Sequence, residues 1–251
     1  MSTAPRVLAL RVAIVVAILA AWEALSASGL LFRDVVPSLG AIGRALVRLL
    51  GTPEFYSHLA TSAGEVGAGL AIGAVLGLAV GILLGANRFL ADAFEAIIHY
   101  LGPTPKIIFF PLMIMWFGVG PGSKVAMGAL SCFFPIVLNA AAGVRQVDRV
   151  LIRVGQSFRV NTWQMVTKIY MPAMRHPIIN GMRLGLGVCL IGALLAETKL
   201  SNRGVGFLVI QAYTLFDMPL MYSLLIVLFV ISIGANALIG RLGGLDTIKR
   251  S

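Results

Sequence analysis

Three long runs without a charged residue constrain the fold of this chain most. They cover residues 66–87, 125–144 and 218–240, and each is close to the roughly 20 residues that an α-helix needs to cross a bilayer. Charged residues make up only 12% of the chain and hydrophobic residues 59%, whereas about a quarter of a soluble domain is charged. The chain is therefore predicted to be an all-α integral membrane protein.

Three further runs are weaker candidates for membrane spans. They cover about residues 12–28, 96–117 and 178–196, and they contain Glu23, Lys106 and Arg183 respectively. We therefore expect about six transmembrane helices. Arg6 and Arg11 precede the first run as they would in a signal peptide, but no small-residue cleavage site is clear, so we interpret this run as a retained first span.

The formal net charge of +10 follows the predicted topology. With the N-terminus inside, thirteen lysines and arginines fall in cytoplasmic segments and six in outer segments. This positive-inside bias predicts that both termini, including a tail at residues 243–251, are cytoplasmic. The topology of the chain in a lipid bilayer therefore explains its positive net charge, and we expect no nucleic acid as a partner.

Two polar or amphipathic segments interrupt the spans. Residues 38–50, which carry Arg44 and Arg48, predict an amphipathic helix on the outer face. Residues 145–177 form a basic loop in which one acid, Asp148, stands against six cations: Arg145, Arg149, Arg153, Arg159, Lys168 and Arg175. A basic loop of this size on a membrane protein predicts a docking surface for a partner.

The basic loop is predicted to form two short helices joined by a turn. Asn161 and Gln164 have the spacing of a capping box at the start of the second helix, and Pro172 and Pro177 would bound that helix. One face of the first helix would carry apolar side chains, namely Val150, Leu151, Val154 and Phe158.

A glycine recurs every four residues along the second predicted span, at Gly69, Gly73, Gly77, Gly81 and Gly85. On a helix this spacing forms a groove along one side, which lets another backbone approach closely. We predict a helix-packing face, whose neighbour belongs either to the same chain or to a second copy.

The third predicted span begins with a break at residues 102–106, Gly-Pro-Thr-Pro-Lys, and contains Pro111. Prolines leave backbone carbonyls unpaired, which is tolerated at membrane depth only where protein or water satisfies them. Lys106 either extends to the nearer interface or lies at the inner mouth of a pathway, where it would meet an anion or a partner carboxylate.

Few other polar residues fall within the predicted spans. Glu65 and Glu197 lie near outer ends, where acids are commonly solvated or paired, and Asn139 lies deep in the fourth span, where it links helices or contacts a substrate. Cys132 and Cys189 have no metal-ligand neighbours, and we interpret them as small buried hydrophobic residues.

Motifs for catalysis are missing from the sequence. The chain has no G-x-x-x-x-G-K-[ST] phosphate-binding loop, its three histidines are scattered, and no nucleophile stands beside a base. No cluster of histidine, cysteine and acidic residues has metal-ligand spacing. We therefore expect no catalytic residue, metal site or cofactor, and a chain that moves or holds something instead of an enzyme.

Several short motifs in a fixed order resemble a known family over about residues 58–240. They are Pro103-Thr104-Pro105-Lys106-Ile107, Pro111-Leu112, Trp116-Phe117-Gly118-Val119-Gly120, Phe134-Pro135 with Asn139 and Gly143, Trp163-Gln164, Lys168, Pro172, Gly181-Met182-Arg183-Leu184, Ala196-Glu197 and Gly204-Val205-Gly206. In this respect the chain resembles the permease subunits of binding-protein-dependent ABC importers, and most of all their nitrate/sulfonate/taurine branch.

The resemblance implies a type I importer permease, with a cytoplasmic coupling helix between its spans. It implies a second permease subunit of the same or another kind, two cytoplasmic ATP-binding subunits that carry out ATP hydrolysis, and an extracytoplasmic solute-binding protein, all at a bacterial inner membrane. The expected divisions are residues 1–57 for the first span and outer helix, 58–242 for the permease core, and 243–251 for the tail.

The resemblance also assigns roles to individual residues. The ATPase would dock on a coupling loop whose contacts are Arg149, Arg153, Val154, Gly155, Phe158, Arg159, Asn161, Thr162 and Trp163. The translocation pathway would be lined by Lys106, Phe109, Met113, Asn139 and Glu197.

The chain departs from the family pattern in the coupling loop. The family usually has Glu-Ala-Ala, three residues and then Gly, where this chain has Arg153, Val154, Gly155 and then Arg159. The loop would then pair with an unusual ATPase, belong to one half of a hetero-dimer, or couple poorly. Glu65 also stands where relatives commonly carry arginine, and His176 where they often carry proline.

Three functional hypotheses follow from the sequence. The leading one is a permease subunit of an ATP-driven importer, moving a small solute such as a sulfonate, nitrate or bicarbonate. The alternatives are a secondary transporter or channel without an ATPase, although no duplicated halves are visible, and a non-transporting membrane scaffold. The same branch includes permeases for uncharged or cationic vitamin precursors and aromatic compounds, so the substrate stays open.

Overall fold

The computed structural model describes residues 4–30 and 35–242, and within them it contains helices and no strand. The α-helices are α1 Ala4–Ser28, α2 Leu39–Leu50, α3 Pro53–Ala86, α4 Arg88–Leu101, α5 Phe110–Phe117, α6 Pro121–Arg145, α7 Arg149–Ser157, α8 Thr162–Gln164, α9 Met171–Ala173, α10 Arg175–Glu197, α11 Val205–Thr214 and α12 Met218–Leu242. A 3₁₀ turn, Lys106–Phe109, precedes α5, and a π-helix, Met165–Tyr170, joins α8 to α9. The predicted tail at 243–251 and the cation Arg33 lie outside the described residues.

Five helices (α1, α3, α6, α10 and α12) are long and apolar enough to cross a membrane. The sixth candidate is a bent pair, in which α4 and the segment Lys106–Phe117 meet at 95°. The predicted all-α membrane fold of about six spans is therefore confirmed. The bend lies at the predicted break of the third span, where Pro103 and Pro105 lack the N–H groups that would extend α4.

The centre of the fold is α6, which lies between α3 and α10. A Cβ added to Gly69 would come within 3.0 Å of Val125 O, and one added to Gly77 within 2.9 Å of Ile136 Cγ2. Gly73, Gly81 and Gly85 also face α6, where a side chain would meet Cys132, Ala140 and Val144 respectively. The neighbour of this glycine row is therefore α6 of the same chain. The two helices can approach so closely because glycine has no side chain.

The other side of α6 packs against glycines of α10. A Cβ at Gly181 would lie 2.9 Å from Asn139 Cβ, and one at Gly185 would lie 2.9 Å from Ile136 Cδ1. Cys132 and Cys189 are buried and free within this core, which confirms their interpretation as small buried residues.

Helix α2 packs on protein through its apolar side. Ser38 caps its first turn by accepting from Ala41 N (3.2 Å), and Leu49 joins a buried cluster with Val205 of α11 and Leu224 of α12. The Ser223 hydroxyl donates to Ile42 O (3.0 Å). The amphipathic pattern thus serves to cover α11 and α12, and the helix is tied to α1 by the Glu23 carboxylate, which accepts from Leu39 N (2.9 Å).

Candidate coupling loop, pathway residues and outer polar cluster

The first helix of the basic loop, α7, has a well-defined start and end. Asp148 caps it by accepting from Val150 N at 2.8 Å. At its other end Val160 N donates to Gly155 O (3.2 Å) and Arg159 N donates to Gln156 O (2.9 Å). These two bonds form a Schellman motif, which requires a left-handed residue at the position after the cap. That residue is Arg159, with φ of 50°.

The second half of the loop begins as predicted. Asn161 Oδ1 accepts from Gln164 N (2.8 Å) and Gln164 Oε1 accepts from Asn161 N (3.1 Å), so the predicted capping box is confirmed. The helix then widens into the π-helical segment, a form often found at functional sites. Pro172 and Pro177 do not bound the helix as predicted: they lie in the first turns of α9 and α10, where a missing N–H is tolerated.

Gly155 fixes how the two halves of the loop pack. It is the buried residue of α7, and an added Cβ would come within 3.0 Å of Met165 Cε and would also overlap Ile169. Val147, just before α7, is buried with Met174 in a cluster that includes Val144 of α6. The loop is therefore a stiff continuation of α6.

The side of α7 that faces away from this packing is apolar and basic at once. Phe158 is 79% exposed and Trp163 is 73% exposed, and Val150 and Val154 are exposed beside them. Arg149, Arg153, Arg159, Asn161, Thr162 and Lys168 are exposed as well. Aromatic residues and arginines on one rigid surface are typical of protein interfaces.

The end of α6 is also linked to α4. Arg145 forms a two-pronged ion pair with Glu95, in which Arg145 Nη1 donates to Glu95 Oε1 at 2.9 Å. Such planar pairing of guanidinium and carboxylate adds geometric specificity to the contact. The positive charge of Arg145 therefore links α6 to α4, and this residue is not part of the exposed face of α7.

The five predicted pathway residues lie in four places. Lys106 stands at the break after α4, where its Nζ donates to Gly102 O and Thr104 O (3.2 Å) and lies 4.9 Å from the centre of the Phe134 ring. Phe134 is midway along α6, so Lys106 lies level with the middle of that helix. Its charge is satisfied there by the carbonyls that the broken helix exposes.

The remaining pathway residues are mostly in helix contacts. Phe109 and Met113 pack in a cluster with Met127 and Ala196. Asn139 donates from Nδ2 to Pro135 O (2.8 Å) on its own helix and faces Gly181 of α10. Glu197 is the last residue of α10 and belongs to a polar cluster that the sequence did not predict.

The outer polar cluster is built around Lys124. This residue is only 2% exposed. Its Nζ donates to Val119 O, to Gly120 O (3.1 Å) and to Leu200 O (2.9 Å). These three carbonyls, which come from two separate loops, satisfy the buried ammonium group.

Three side chains of the cluster cap the N-terminus of α11. Gly204 N donates to His58 Nδ1 (3.1 Å), Val205 N to Ser62 Oγ (2.7 Å) and Gly206 N to Glu197 Oε2 (2.7 Å). These N–H groups have no partner within their own helix. Because His58 and Ser62 belong to α3 and Glu197 belongs to α10, the three caps connect α11 to both helices.

The glycine pair after Glu197 is explained by the same contacts. Gly204 has φ of 105°, and a side chain there would overlap the Glu197 carboxylate. A Cβ at Gly206 would lie 2.8 Å from Glu197 Cβ. The spacing of His58, Ser62 and Glu65, three and four residues apart on one helix face, is the signal by which sequence analysis could have found this cluster.

The sequence of this chain is similar to that of known proteins over most of its length. Residues 73–244 match the family described as the inner membrane component of binding-protein-dependent transport systems. The putative aliphatic sulfonates transport permease protein SsuC of Bacillus subtilis is 32% identical over 78% of this chain and 71% of its own length. The taurine transport system permease protein TauC of Escherichia coli is 31% identical over 74% and 70%. The riboflavin transport system permease protein RibX of Chloroflexus aurantiacus is 32% identical over 62% and 58%.

The family match supports the first of the three functional hypotheses, an importer permease. In this family ATP hydrolysis resides in a separate subunit, and the transporter complex includes that ATPase and a binding protein. The apolar spans and the family match together make the chain a multi-pass inner membrane protein. The chain belongs to the family of inner membrane permeases of binding-protein-dependent ABC transporters.

Proposed function

We propose that this chain is one of two permease subunits in an importer that carries a small anion, of the sulfonate or nitrate kind, from a binding protein to the cytoplasm. The loop at residues 145–177 and both termini face the cytoplasm. One ATP-binding subunit docks on the loop of each permease. The observation that carries the proposal is the rigid surface of α7, where Phe158, Arg153 and Arg159 are exposed together.

The stiffness of the loop supports its role in coupling. Val147 and Gly155 bury the inner side of the loop against α6 and the π-helical segment, so a force on α7 moves α6 with it. A flexible loop would absorb the same displacement. Coupling requires such an element with few alternative packings.

The anion is supported by relatives and by charge. The names of two relatives above refer to sulfonates and to taurine. Lys106 places a cation midway along α6, held by backbone carbonyls and by the face of Phe134. Burying a cation at that depth is costly, so charged residues within membrane spans commonly mark a substrate pathway. An anion that passes the break would be attracted to Lys106.

Reconstituted transport tests the proposal. The full chain would be purified with the ATP-binding subunit and the binding protein of the same genome, placed in proteoliposomes, and assayed for uptake of labelled taurine, an alkanesulfonate, nitrate and riboflavin. We expect uptake of an anion that requires ATP and all three components. Uptake that persists without the ATP-binding subunit, or uptake of riboflavin alone, would contradict it.

A further inference from the structure

Two buried carboxyl groups face each other in the outer polar cluster. Glu65 of α3 is 5% exposed and Glu197 of α10 is fully buried. The two groups are within hydrogen-bonding reach of each other. Nevertheless, no donor reaches Glu65 Oε2 or Glu197 Oε1 among the described residues. Ionised carboxylates only accept hydrogen bonds, so two of them cannot pair without a proton.

The charges that surround this pair do not balance it. Lys124 of α6 supplies one positive charge, and its donors are directed to the carbonyls of Val119, Gly120 and Leu200. His58, on the same helix as Glu65, accepts at Nδ1 from Gly204 N, so that nitrogen carries no proton. The start of α11 contributes only backbone N–H groups. Two ionised acids would leave one uncompensated negative charge at a buried position, which is strongly unfavourable.

We propose that Glu65 and Glu197 share one proton, so that the outer polar cluster is a proton-binding site. The proton is shared between the two carboxyl groups, converts two repelling acceptors into one hydrogen bond, and brings the cluster to zero net charge with Lys124. It thereby ties α3 to α10 beneath the N-terminus of α11. The site stands on this geometry and is independent of the transported substrate.

Stability as a function of pH tests the site. If the folded protein holds a proton that the unfolded chain releases, the folding equilibrium constant falls about tenfold for each pH unit between the pH at which the unfolded chain loses the proton and the pH at which the folded protein loses it, and it levels off above that window. The full chain would be melted thermally in lipid nanodiscs, with its partner subunits where they co-purify, across a pH series. In Glu65→Gln an amide replaces the protonated acid at the same size, so we expect this fall to be absent and the variant to be more stable than the unmodified protein above that window.

A matched control and a second measurement separate this from a general effect. Glu54→Gln removes an exposed acid in the first turn of the same helix and should keep the original pH dependence. The infrared spectrum should show the carbonyl stretch of a protonated carboxyl group, sensitive to D₂O, in the unmodified protein and not in Glu65→Gln. This second readout holds even if the variant melts early.

Three outcomes would overturn the proposal. The first is an equal pH dependence in Glu65→Gln and the unmodified protein. The second is the absence of the protonated carboxyl band. The third is a stability that rises with sodium concentration at fixed pH in the unmodified protein and not in Glu65→Gln, which would place a metal cation between the two acids. A failed uptake assay leaves all three measurements unaffected.

Discussion

At the scale of single residues, Arg159 stands out because it adopts a backbone conformation that favours glycine. Its φ of 50° closes the Schellman motif at the end of α7. A Cβ in the left-handed region costs about 1–2 kcal/mol. The pattern of the family that this chain resembles has glycine at this position, so the loop geometry is compatible with that pattern, while the arginine side chain adds a charge to the exposed face of the loop.

Replacing Arg159 with glycine should therefore stabilise the end of α7 by about 1 kcal/mol. We expect the amide protons of Arg159→Gly at positions 159 and 160 to exchange with deuterium about fivefold more slowly, a factor that corresponds to that free energy. Arg153→Gly is the matched control, since it lies inside the same helix and should lower stability by a similar amount. Faster exchange in Arg159→Gly would show that the turn does not constrain the loop.

At the scale of elements, the basic loop works as one body with α6. Its inner side is buried through Val147 and Gly155, and Arg145 joins the end of α6 to α4 through Glu95. The exposed side, with Phe158, Trp163, Arg153 and Arg159, takes no part in this packing among the described residues. We predict that a partner docks on that side and that its charge contributes to the choice of partner, because electrostatic complementarity selects among similar surfaces.

Reversing two charges on this side tests the docking role. Arg153→Glu combined with Arg159→Glu should reduce co-purification of the ATP-binding subunit at least about tenfold, because like charges across an interface repel. Membrane insertion should be unaffected, since both side chains are exposed. Arg44→Glu combined with Arg48→Glu makes the same charge change on α2 and should leave association intact. Equal recovery of the ATPase from both double variants would remove the role that we assign to α7.

At the scale of the whole molecule, α6 connects the two polar regions. Lys124 lies near its start in the outer cluster and Arg145 ends it at the coupling loop, a distance of about 32 Å along a straight helix. Glycine faces of α3 and α10 hold α6 on two sides. The close approach of three backbones makes the centre of the fold rigid between its ends.

Gly77→Leu should break this arrangement. A side chain there would meet Ile136 and Phe133 O of α6 within about 3 Å, and we expect a loss of about 3 kcal/mol or more. Gly67→Leu adds the same side chain to the same helix at a position with open space around it. Thermal melting of the two variants in detergent compares them directly. Similar melting temperatures would mean that the glycine row is incidental to packing.

The sequence by itself determined the features that depend on neighbouring residues. The length of apolar runs predicts the spans, the spacing of Asn161 and Gln164 predicts the capping box, and Gly69 to Gly85 predict one packing face. These signals are local, because helical periodicity and hydrogen bonds within a turn relate residues that are close in the chain. The bend after α4 was visible in part, since its prolines mark the break but not the angle of 95°.

Only the tertiary structure decided which polar residues meet. Glu65, Lys124 and Glu197 lie on three different helices, and each alone has the pattern of an interfacial charge. Packing of α3 and α10 on α6 brings them together at a buried position, where charge and hydrogen-bond balance become decisive. The energy of a buried polar group depends on partners that are far away in sequence, and that is why the sequence alone does not bring Lys124 and the two acids together.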